Sequence, residues 1–262
     1  MFHLDDRAVL RVAGADARTF LQGLLTNDVD ALAPGKPVYT GLLSPQGKAL
    51  FDMLLFDGGD GAVLVDVATS RAEALARRLT MYRMRKAVVI DTPPLAVWAA
   101  TEAVLGRPLD PRLPALGARW IGDVGGTPGG ETYDRHRLAL GVPGSADIGE
   151  DDLLWLETDA DLLNGVSFTK GCYVGQENTA RMHHRDKVRR RLLPVRFDGG
   201  PGDGVIRDGQ GRAAGTLRSH RDGLGIAHLR VEAAAGPLTL GTGTAAVVRP
   251  DWLAPAFTSA AA

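Results

Sequence analysis

The octapeptide at residues 170–177, Lys-Gly-Cys-Tyr-Val-Gly-Gln-Glu, is the most distinctive stretch of this 262-residue sequence. It contains Cys172, the only cysteine of the chain. Two glycines allow the backbone to turn sharply or to approach a ligand closely. Cations favour the thiolate, the reactive form of cysteine, and Lys170 lies two residues away. The octapeptide therefore predicts a functional thiol, against the alternative of a small, buried apolar residue.

A basic segment follows the octapeptide. Residues 181–191 contain five arginines and one lysine, together with His183 and His184. The segment is interpreted either as a solvated surface or as an anion site, for the glutamate tail of a folate or for an acidic partner. Adjacent residues of a strand point to opposite faces, so the two histidines are not expected to bind one metal together. At most one of them joins Cys172 as a second ligand.

Composition excludes several classes of protein. The formal net charge is −1, so no global field attracts nucleic acid or membranes, and direct binding of nucleic acid is not expected. A single cysteine excludes a disulfide framework, a multi-cysteine zinc site and an iron–sulfur cluster held by this chain alone. No apolar run is long enough to span a membrane, and the acidic N-terminus does not resemble a signal peptide. One free thiol favours a reducing compartment, and we expect a cytoplasmic location.

The pattern along the chain predicts an α+β body at residues 1–190 and a small β-barrel at residues 191–262. The body reads as strands and helices, with a capping box at residues 70–73 that opens a helix. Residues 122–130, with five glycines, predict a flexible connection between two modules of the body. After Arg190, short apolar runs alternate with turn clusters, which is typical of a small β-barrel.

The octapeptide and its flanks resemble the YgfZ/GcvT-like family of folate-binding proteins, and most of all its iron–sulfur cluster assembly branch. The flanks that carry this resemblance are residues 164–169, Asn-Gly-Val-Ser-Phe-Thr, and residues 179–195. Residues 20–29, Phe-Leu-Gln-Gly-Leu-Leu-Thr-Asn-Asp-Val, are similar to the motif that opens the superfamily. The T-protein of the glycine cleavage system shares that motif. Residues 82–86, Tyr-Arg-Met-Arg-Lys, also resemble the assembly branch.

The resemblance implies modules arranged around a central channel that accepts tetrahydrofolate or a folate derivative. It also implies an accessory protein that assembles or repairs four-iron clusters, including those of tRNA-modifying enzymes, with a role under oxidative stress. The partners would then be assembly proteins and client enzymes, and no turnover reaction is expected. Two alternatives remain open: a tetrahydrofolate-dependent one-carbon transferase or demethylase, and a module that binds tRNA directly.

The resemblance also assigns residues. Cys172, with Lys170 beside it, is the functional thiol and a transient cluster ligand. Tyr173 either stacks on a pterin or packs into a core. Gly175 and Arg181 belong to the folate site, while Gln176 and Glu177 either bind the ligand or cap a helix start. Asn27 and Asp28 either line the channel or cap the chain after the first helix.

Two positions depart from the T-protein pattern. Glu73 is placed where the T-protein has an aspartate near the folate nitrogen. Ala139 replaces a glutamate that binds the pterin ring, within Arg-Leu-Ala-Leu-Gly at residues 137–141. Loss of a charge-assisted pair is worth about 2–3 kcal/mol, or roughly a hundredfold in affinity. The sequence therefore predicts weaker folate binding and disfavours aminomethyl transfer.

Overall fold

The chain forms two antiparallel sheets, a closed barrel and six helices in the residues that the computed structural model describes, 1–184 and 188–258. In chain order the elements are β1 (Phe2–His3), β2 (Arg7–Ala13), α1 (Ala17–Gln22), β3 (Val38–Leu43), β4 (Ala49–Asp57), β5 (Val63–Ala68), α2 (Thr69–Arg83), β6 (Val89–Asp91), β7 (Leu95–Ala99) and β8 (Arg119–Asp123). They continue with α3 (Gly130–Ala139), α4 (Ser145–Ile148), α5 (Gln176–His184), β9 (Arg190–Phe197), β10 (Val205–Asp208), β11 (Ala213–Arg221), β12 (Leu224–Arg230), β13 (Leu238–Leu240), β14 (Gly243–Val247) and α6 (Pro255–Thr258).

A five-stranded sheet with the order β3-β4-β5-β2-β6 carries the N-terminal half. Successive side chains of a strand point to opposite faces of the sheet, and in β4 the side chains on both faces are buried. Met53 and Leu55 pack into the core beneath α1 and α2, whereas Leu54 and Phe56 pack into the larger central core. The sheet is therefore covered on both sides, and a charged residue within β4 needs a special explanation.

Helix α2 begins differently from the predicted capping box. Ala68 is the N-cap residue, and no side chain caps the helix. Strand β5 runs directly into the helix, so Ser70 already lies in the first turn and cannot cap it. The exposed Glu73 forms an ion pair with Arg77 one turn later instead. The capping box is wrong because tertiary structure moves the helix start by two residues.

A three-stranded sheet, β1-β7-β8, leads into α3 through the glycine-rich segment at residues 122–130. A Cβ atom at Gly126 would lie 2.1 Å from the Trp98 ring, and one at Gly129 would lie 2.5 Å from Phe2 Cβ. His3 also exchanges backbone hydrogen bonds with Thr127 and Gly129. These glycines are explained by close packing, and the module boundaries drawn from them stay a prediction.

The C-terminal strands close into a six-stranded barrel in the order β10-β11-β12-β9-β14-β13, which confirms the predicted β-barrel. Alternate side chains, including Leu193, Val195, Ala227 and Leu229, fill its interior. Closure pairs every edge of the sheet, so these short strands leave no ladder of free backbone groups.

Buried ion pairs join the barrel to the body. Arg191 on β9 donates hydrogen bonds to Asp159 at 3.0 Å and to Asp161 at 2.8 Å. Arg137 on α3 donates to the Ser219 hydroxyl on β11 at 3.0 Å. Within the described ranges, no helix has both the length and the apolar character to cross a membrane.

Candidate functional site

The loop before α5 presents the thiol. Cys172 is exposed, and a Cβ atom added at the neighbouring Gly171 would meet no other atom within 4 Å. Gly171 also lacks a positive φ, so the special backbone conformation expected for it is not found. The Ser167 hydroxyl accepts a hydrogen bond from the Lys170 amide at 3.2 Å and fixes the entry to the loop. The sulfur is thus accessible on a surface loop, as the sequence predicted.

Lys170 anchors this loop to the N-terminal module. Its ammonium group donates to the carbonyl oxygens of Gln22 and Leu25 at 2.7 Å each, and to that of Asn27 at 2.9 Å. The Gln22 carbonyl belongs to the last residue of α1, and the other two carbonyls come shortly after it. The end of a helix leaves acceptors unsatisfied, and a cation is favoured there. Burial lowers the pKa of Lys170 to about 8, against the opposing effect of Asp28. Lys170 therefore positions the thiol, because it holds the loop that carries Cys172 against the end of α1.

Tyr173 packs into the central core and is 7% exposed. Its ring lies 5.4 Å from the ammonium nitrogen of Lys170. Burial raises the pKa of its hydroxyl, while a hydrogen bond with Thr179 acts in the opposite sense. Of the two alternatives for Tyr173, core packing accounts for its position, and contact with a pterin stays a prediction.

Gly175 lets the loop pass close to the β3–β4 turn. Its φ is +81°, and a Cβ atom there would lie 2.5 Å from the carbonyl oxygen of Ser44. Helix α5 begins at the next residue, so Gln176 and Glu177 occupy its first turn, where a carboxylate is favoured. The helix start predicted for these two residues is confirmed, and their ligand contacts stay a prediction.

Asn27 and Asp28 hold the chain after α1. The Asn27 amide donates to the carbonyl oxygens of Tyr39 and Asn164 at 2.8 and 2.7 Å. Asp28 caps the following 3-10 turn by accepting from the Asp30 amide at 3.1 Å. The capping alternative is confirmed for Asp28, whereas a channel-wall role for either residue stays a prediction.

The basic segment is not one continuous surface. Arg181 is exposed on α5 and donates to Asn178 at 2.8 Å. Arg191, by contrast, is buried against Asp159 and Asp161, so it offers no charge to a ligand. Arg185 and Lys187 lie outside the described residues. The predicted anion site therefore loses Arg191, because the barrel uses that residue for its attachment.

His183 and His184 lie at the end of α5, so the argument that neighbouring strand residues point to opposite faces does not apply to them. The His183 ring stacks on Phe168 with a centroid separation of 3.6 Å and an interplanar angle of 14°. His184 packs edge-on against both rings. In the part of the chain that the structure describes, no group of three or more metal-binding side chains occurs.

A cavity of about 410 Å³ lies between the five-stranded sheet, α3 and α4, on the body of the protein. Its lining is rich in charge. The cations are Arg7, Arg71, Arg112, Arg119 and Arg137, and the acids are Asp6, Asp52, Asp134 and Glu150. None of the site residues predicted from the sequence lies in this lining.

A buried network holds the cavity wall. Asp66 accepts from Arg7 at 2.6 Å and from Arg119 at 2.7 Å. Asp110 accepts from the Tyr133 hydroxyl at 2.8 Å and accepts three hydrogen bonds from Arg112, two from its guanidinium group and one from its backbone amide. Burial acts to raise the pKa of Asp110, yet the neighbouring Arg112 holds it down at about 2. Asp110 is thus ionised, and the carboxylates of Asp66 and Asp110 both have hydrogen-bond partners within the wall.

Asp52 is different, and sequence reasoning missed it. It lies on β4 in the cavity lining and is 7% exposed. Among the described residues, no side chain or backbone group forms a hydrogen bond or ion pair with its carboxylate. Its oxygens remain open to solvent in the cavity, so the carboxylate is available to a ligand. The signal was present in the sequence as a single carboxylate inside the apolar run at residues 50–56, Leu-Phe-Asp-Met-Leu-Leu-Phe.

The two positions compared with the T-protein lie outside this cavity. Glu73 is 85% exposed at its side chain and faces solvent on α2. Ala139 is exposed at the end of α3, and neither residue lines the cavity. The relation of Glu73 to a folate and the predicted weakening of folate binding by Ala139 therefore both stay predictions.

Known proteins match both parts of this architecture. The GCVT N-terminal domain matches residues 1–98, and the CAF17 C-terminal beta-barrel domain matches residues 189–255. The mouse mitochondrial iron–sulfur cluster assembly factor IBA57 is 34% identical, covering 96% of this chain and 84% of that protein. A Neurospora crassa homologue of that factor is 31% identical over 80% of this chain and 56% of its own length.

The aminomethyltransferase T of the Bartonella henselae glycine cleavage system shares the fold, with a TM-score of 0.73 at 14% identity. That alignment covers 95% of this chain and 84% of the other.

Proposed function

The chain belongs to the IBA57 family of iron–sulfur cluster assembly factors, and we propose that its Cys172 thiolate supplies one ligand to a cluster in transit. A cluster normally needs about four protein ligands, so one thiol can hold it only together with a partner. The cluster is cargo, and the remaining ligands come from the assembly protein that delivers it or the client that receives it.

The observation that carries this proposal is the exposed thiol on a loop held at both ends. Lys170 fixes the loop to the end of α1, and Gly175 fits it against the turn between β3 and β4. A ligand that must pass a cluster between proteins has to be accessible, yet it must also be positioned. Such pre-organisation lowers the cost of forming the shared complex.

The test compares Cys172→Ala and Cys172→Ser with Thr169→Ala, an exposed control in the same loop. Cells that depend on each variant should lose activity of four-iron enzymes with either cysteine substitution and retain it with the control. Circular dichroism and thermal unfolding of the purified variants establish that each remains folded. Full enzyme activity with Cys172→Ala, including under oxidative stress, would refute the role of the thiol.

We propose further that the clients are four-iron proteins, among them enzymes that modify tRNA, and that demand is greatest under oxidative stress. The YgfZ resemblance of residues 164–177 supports this choice. Measuring the tRNA modifications in the same variant cells tests it. Unchanged modification levels together with lost activity of other four-iron enzymes would restrict the client range without affecting the main proposal.

A folate is the proposed cofactor of the cavity. The Asp52 carboxylate, which has no hydrogen-bond partner among the described residues, fits the hydrogen-bond donors of a pterin. The five cavity arginines are each already paired with a carboxylate, so the proposal does not depend on them. When bound, a reduced folate supplies a carrier for one-carbon units. Asp52 also gives the one-carbon transferase alternative its single supporting observation. Consumption of tetrahydrofolate in the presence of a methylamine donor would favour that alternative.

No observation favours direct binding of tRNA, because Arg191 of the basic segment is neutralised by two carboxylates. The names of the relatives place them in mitochondria. A cytoplasmic location for this chain therefore rests on its single thiol alone, which favours a reducing compartment. Localisation of a tagged full-length protein tests that prediction.

A further inference from the structure

A second surface, apart from the Cys172 loop, combines cations with exposed apolar side chains. Residues 74–90 contain five arginines and lysines and no aspartate or glutamate, although the chain as a whole has a net charge of −1. They include the end of α2, the following turn and the first two residues of β6, whose third residue, Asp91, is paired with Arg11. We refer to Met81, Met84, Arg85, Lys86 and Val89 as the methionine–cation surface.

The apolar members of this surface are well exposed. The exposed fractions are 68% for Met81, 85% for Met84 and 56% for Val89. Methionine side chains are flexible and polarizable, and they are common where a protein surface adapts to a partner. Strand β6 is also an edge of the five-stranded sheet, with β2 on one side only. Edge strands offer backbone groups to which another chain can add.

The cations of the surface are not used internally. Two nearby arginines outside this surface do have internal partners: Arg77 is paired with Glu73, and Arg83 donates to the carbonyl oxygen of Val88, just before β6. Arg85 and Lys86 are exposed, and their side chains form neither hydrogen bonds nor ion pairs with any residue in the described ranges. Two adjacent positive charges therefore remain for an outside partner.

The turn that carries Met84 is strained and fixed. Met84 has φ +49° and ψ −109°, a conformation that is unfavourable for a residue with a side chain. The turn is held because the Asp16 carboxylate accepts a hydrogen bond from the Ala87 amide at 2.7 Å. In the free protein, the packing of Met84 does not compensate this strain, because its side chain is exposed. Strain of this kind is concentrated at functional positions.

The surface is also connected to the thiol loop. Asp16, which holds the turn, immediately precedes α1, and Lys170 binds the carbonyls at the opposite end of α1. A helix of six residues is about 9 Å long. The two features are thus attached to opposite ends of one short helix, which buries Ala17, Phe20 and Leu21 in the core.

We propose that the methionine–cation surface docks an acidic protein segment that carries an apolar residue. The charge of the surface selects the acidic residues, while Met81 and Met84 contact the apolar one. A protein fits better than a nucleic acid, because the surface has no exposed aromatic ring for base stacking. It fits better than a membrane, because two unpaired cations attract anionic lipid only weakly. The proposal stands independently of the role of Cys172.

The test uses the full chain and a labelled peptide of glutamates around a central leucine–phenylalanine pair. Saturable binding by fluorescence anisotropy is expected, and it should weaken as the salt concentration rises.

The double variant Arg85→Ser/Lys86→Ser and the single variant Met84→Gly should each weaken binding about tenfold. Met84→Gly also relieves the backbone strain, so weaker binding cannot be attributed to unfolding. Leu105→Ser/Arg107→Ser, at another exposed apolar and cationic position, is the matched control.

Several outcomes would overturn the proposal. Peptide binding absent at millimolar concentration, or equal for wild type and all variants, would do so. Preferential binding of phosphatidylserine vesicles or of an RNA hairpin, with the same dependence on Arg85 and Lys86, would assign the surface to another class of partner. Cys172→Ala should bind the peptide as wild type does, so failure of this proposal and failure of the cluster-ligand role are distinguishable.

Discussion

The ammonium nitrogen of Lys170 lies 2.7 Å from the carbonyl oxygen of Leu25, which is 145 residues earlier in the chain. This contact joins the thiol loop to the end of the first helix. Two further carbonyls, from Gln22 and Asn27, accept from the same group. One lysine thereby satisfies three backbone acceptors and determines where Cys172 is presented.

Replacing Lys170 by methionine should loosen the loop. The three carbonyls would lose their donor, and unfolding free energy should fall by about 2–3 kcal/mol, measured with urea. The thiol should also react faster with a disulfide reagent in native buffer. Lys170→Arg retains the charge and should be the milder variant. Equal thiol reaction rates in wild type and Lys170→Met would contradict this positioning role.

Gly175→Ala should be strongly destabilising, whereas Gly171→Ala should be nearly neutral. The first substitution places a Cβ atom 2.5 Å from the Ser44 carbonyl at a positive φ, and the second meets no atom within 4 Å. We expect a loss of about 2–3 kcal/mol for Gly175→Ala and less than about 0.5 kcal/mol for Gly171→Ala. Paired urea titrations measure both values, and similar losses would show that the tight contact at Gly175 is absent in solution.

Asp52→Asn should separate stability from ligand binding. Its oxygens are open to solvent in the cavity, so removing the charge should change the free energy of unfolding by less than about 0.5 kcal/mol. The same change should weaken binding of tetrahydrofolate roughly a hundredfold, as measured by calorimetry. Asp60→Asn, in an exposed turn, is the control. Unchanged folate affinity in Asp52→Asn would exclude this carboxylate from the site.

Asp159→Asn should alter the pH dependence of stability. Burial raises the pKa of Asp159 to about 7, although Arg191 opposes the shift. One of its carboxylate oxygens, Oδ2, has no hydrogen-bond partner among the described residues. The folded state then binds more protons than the unfolded state between about pH 4 and 7, so this contribution to stability falls by up to about 4 kcal/mol as pH rises. Urea titrations at several pH values should show the decline in wild type relative to the variant, and parallel profiles would refute it.

His228→Gln should alter the pH dependence of stability in the opposite sense, over an overlapping pH range. Burial, with Arg190 and Arg218 nearby, lowers the pKa of His228 to about 4. The unfolded state then binds more protons between about pH 4 and 6.5, so this contribution is present above pH 6.5 and is lost as pH falls. Because solvent screens a partly exposed ring, we expect a loss of about 1–2 kcal/mol. The difference between wild-type and variant stability should therefore grow with pH. A constant difference from pH 4 to 7 would contradict the shift.

The sequence predicted the features that depend on local pattern. Alternating apolar runs after Arg190 predicted the barrel, and the octapeptide motif led to the family and its fold. The helix start at Gln176 and the positive φ of Gly175 also followed from residue type and position. Each of these inferences uses residues that are near one another in the chain.

The wrong predictions share a different cause. Glu73 was predicted to complete a capping box, yet it is exposed and bound to Arg77. Arg191 belongs to the segment that was interpreted either as a solvated surface or as an anion site, yet it is buried and Asp159 and Asp161 neutralise it. In both cases the partner that determines the role could not be identified from the local pattern. Asp52 was overlooked for the same reason, because its isolation depends on what surrounds β4.

The amino-acid sequence alone determined the family, the order of helices and strands, and the presence of one chemically distinctive thiol, because periodicity and short motifs are written within a few residues. Tertiary structure decided which groups are satisfied and which are left available. Among the residues that the structure describes, Lys170 became an anchor through contacts between distant parts of the chain, whereas the side chains of Asp52, Arg85 and Lys86 were left without hydrogen-bond or ion-pair partners. Hydrogen bonding and charge pairing act over a few ångströms in space, and separation along the chain does not limit them.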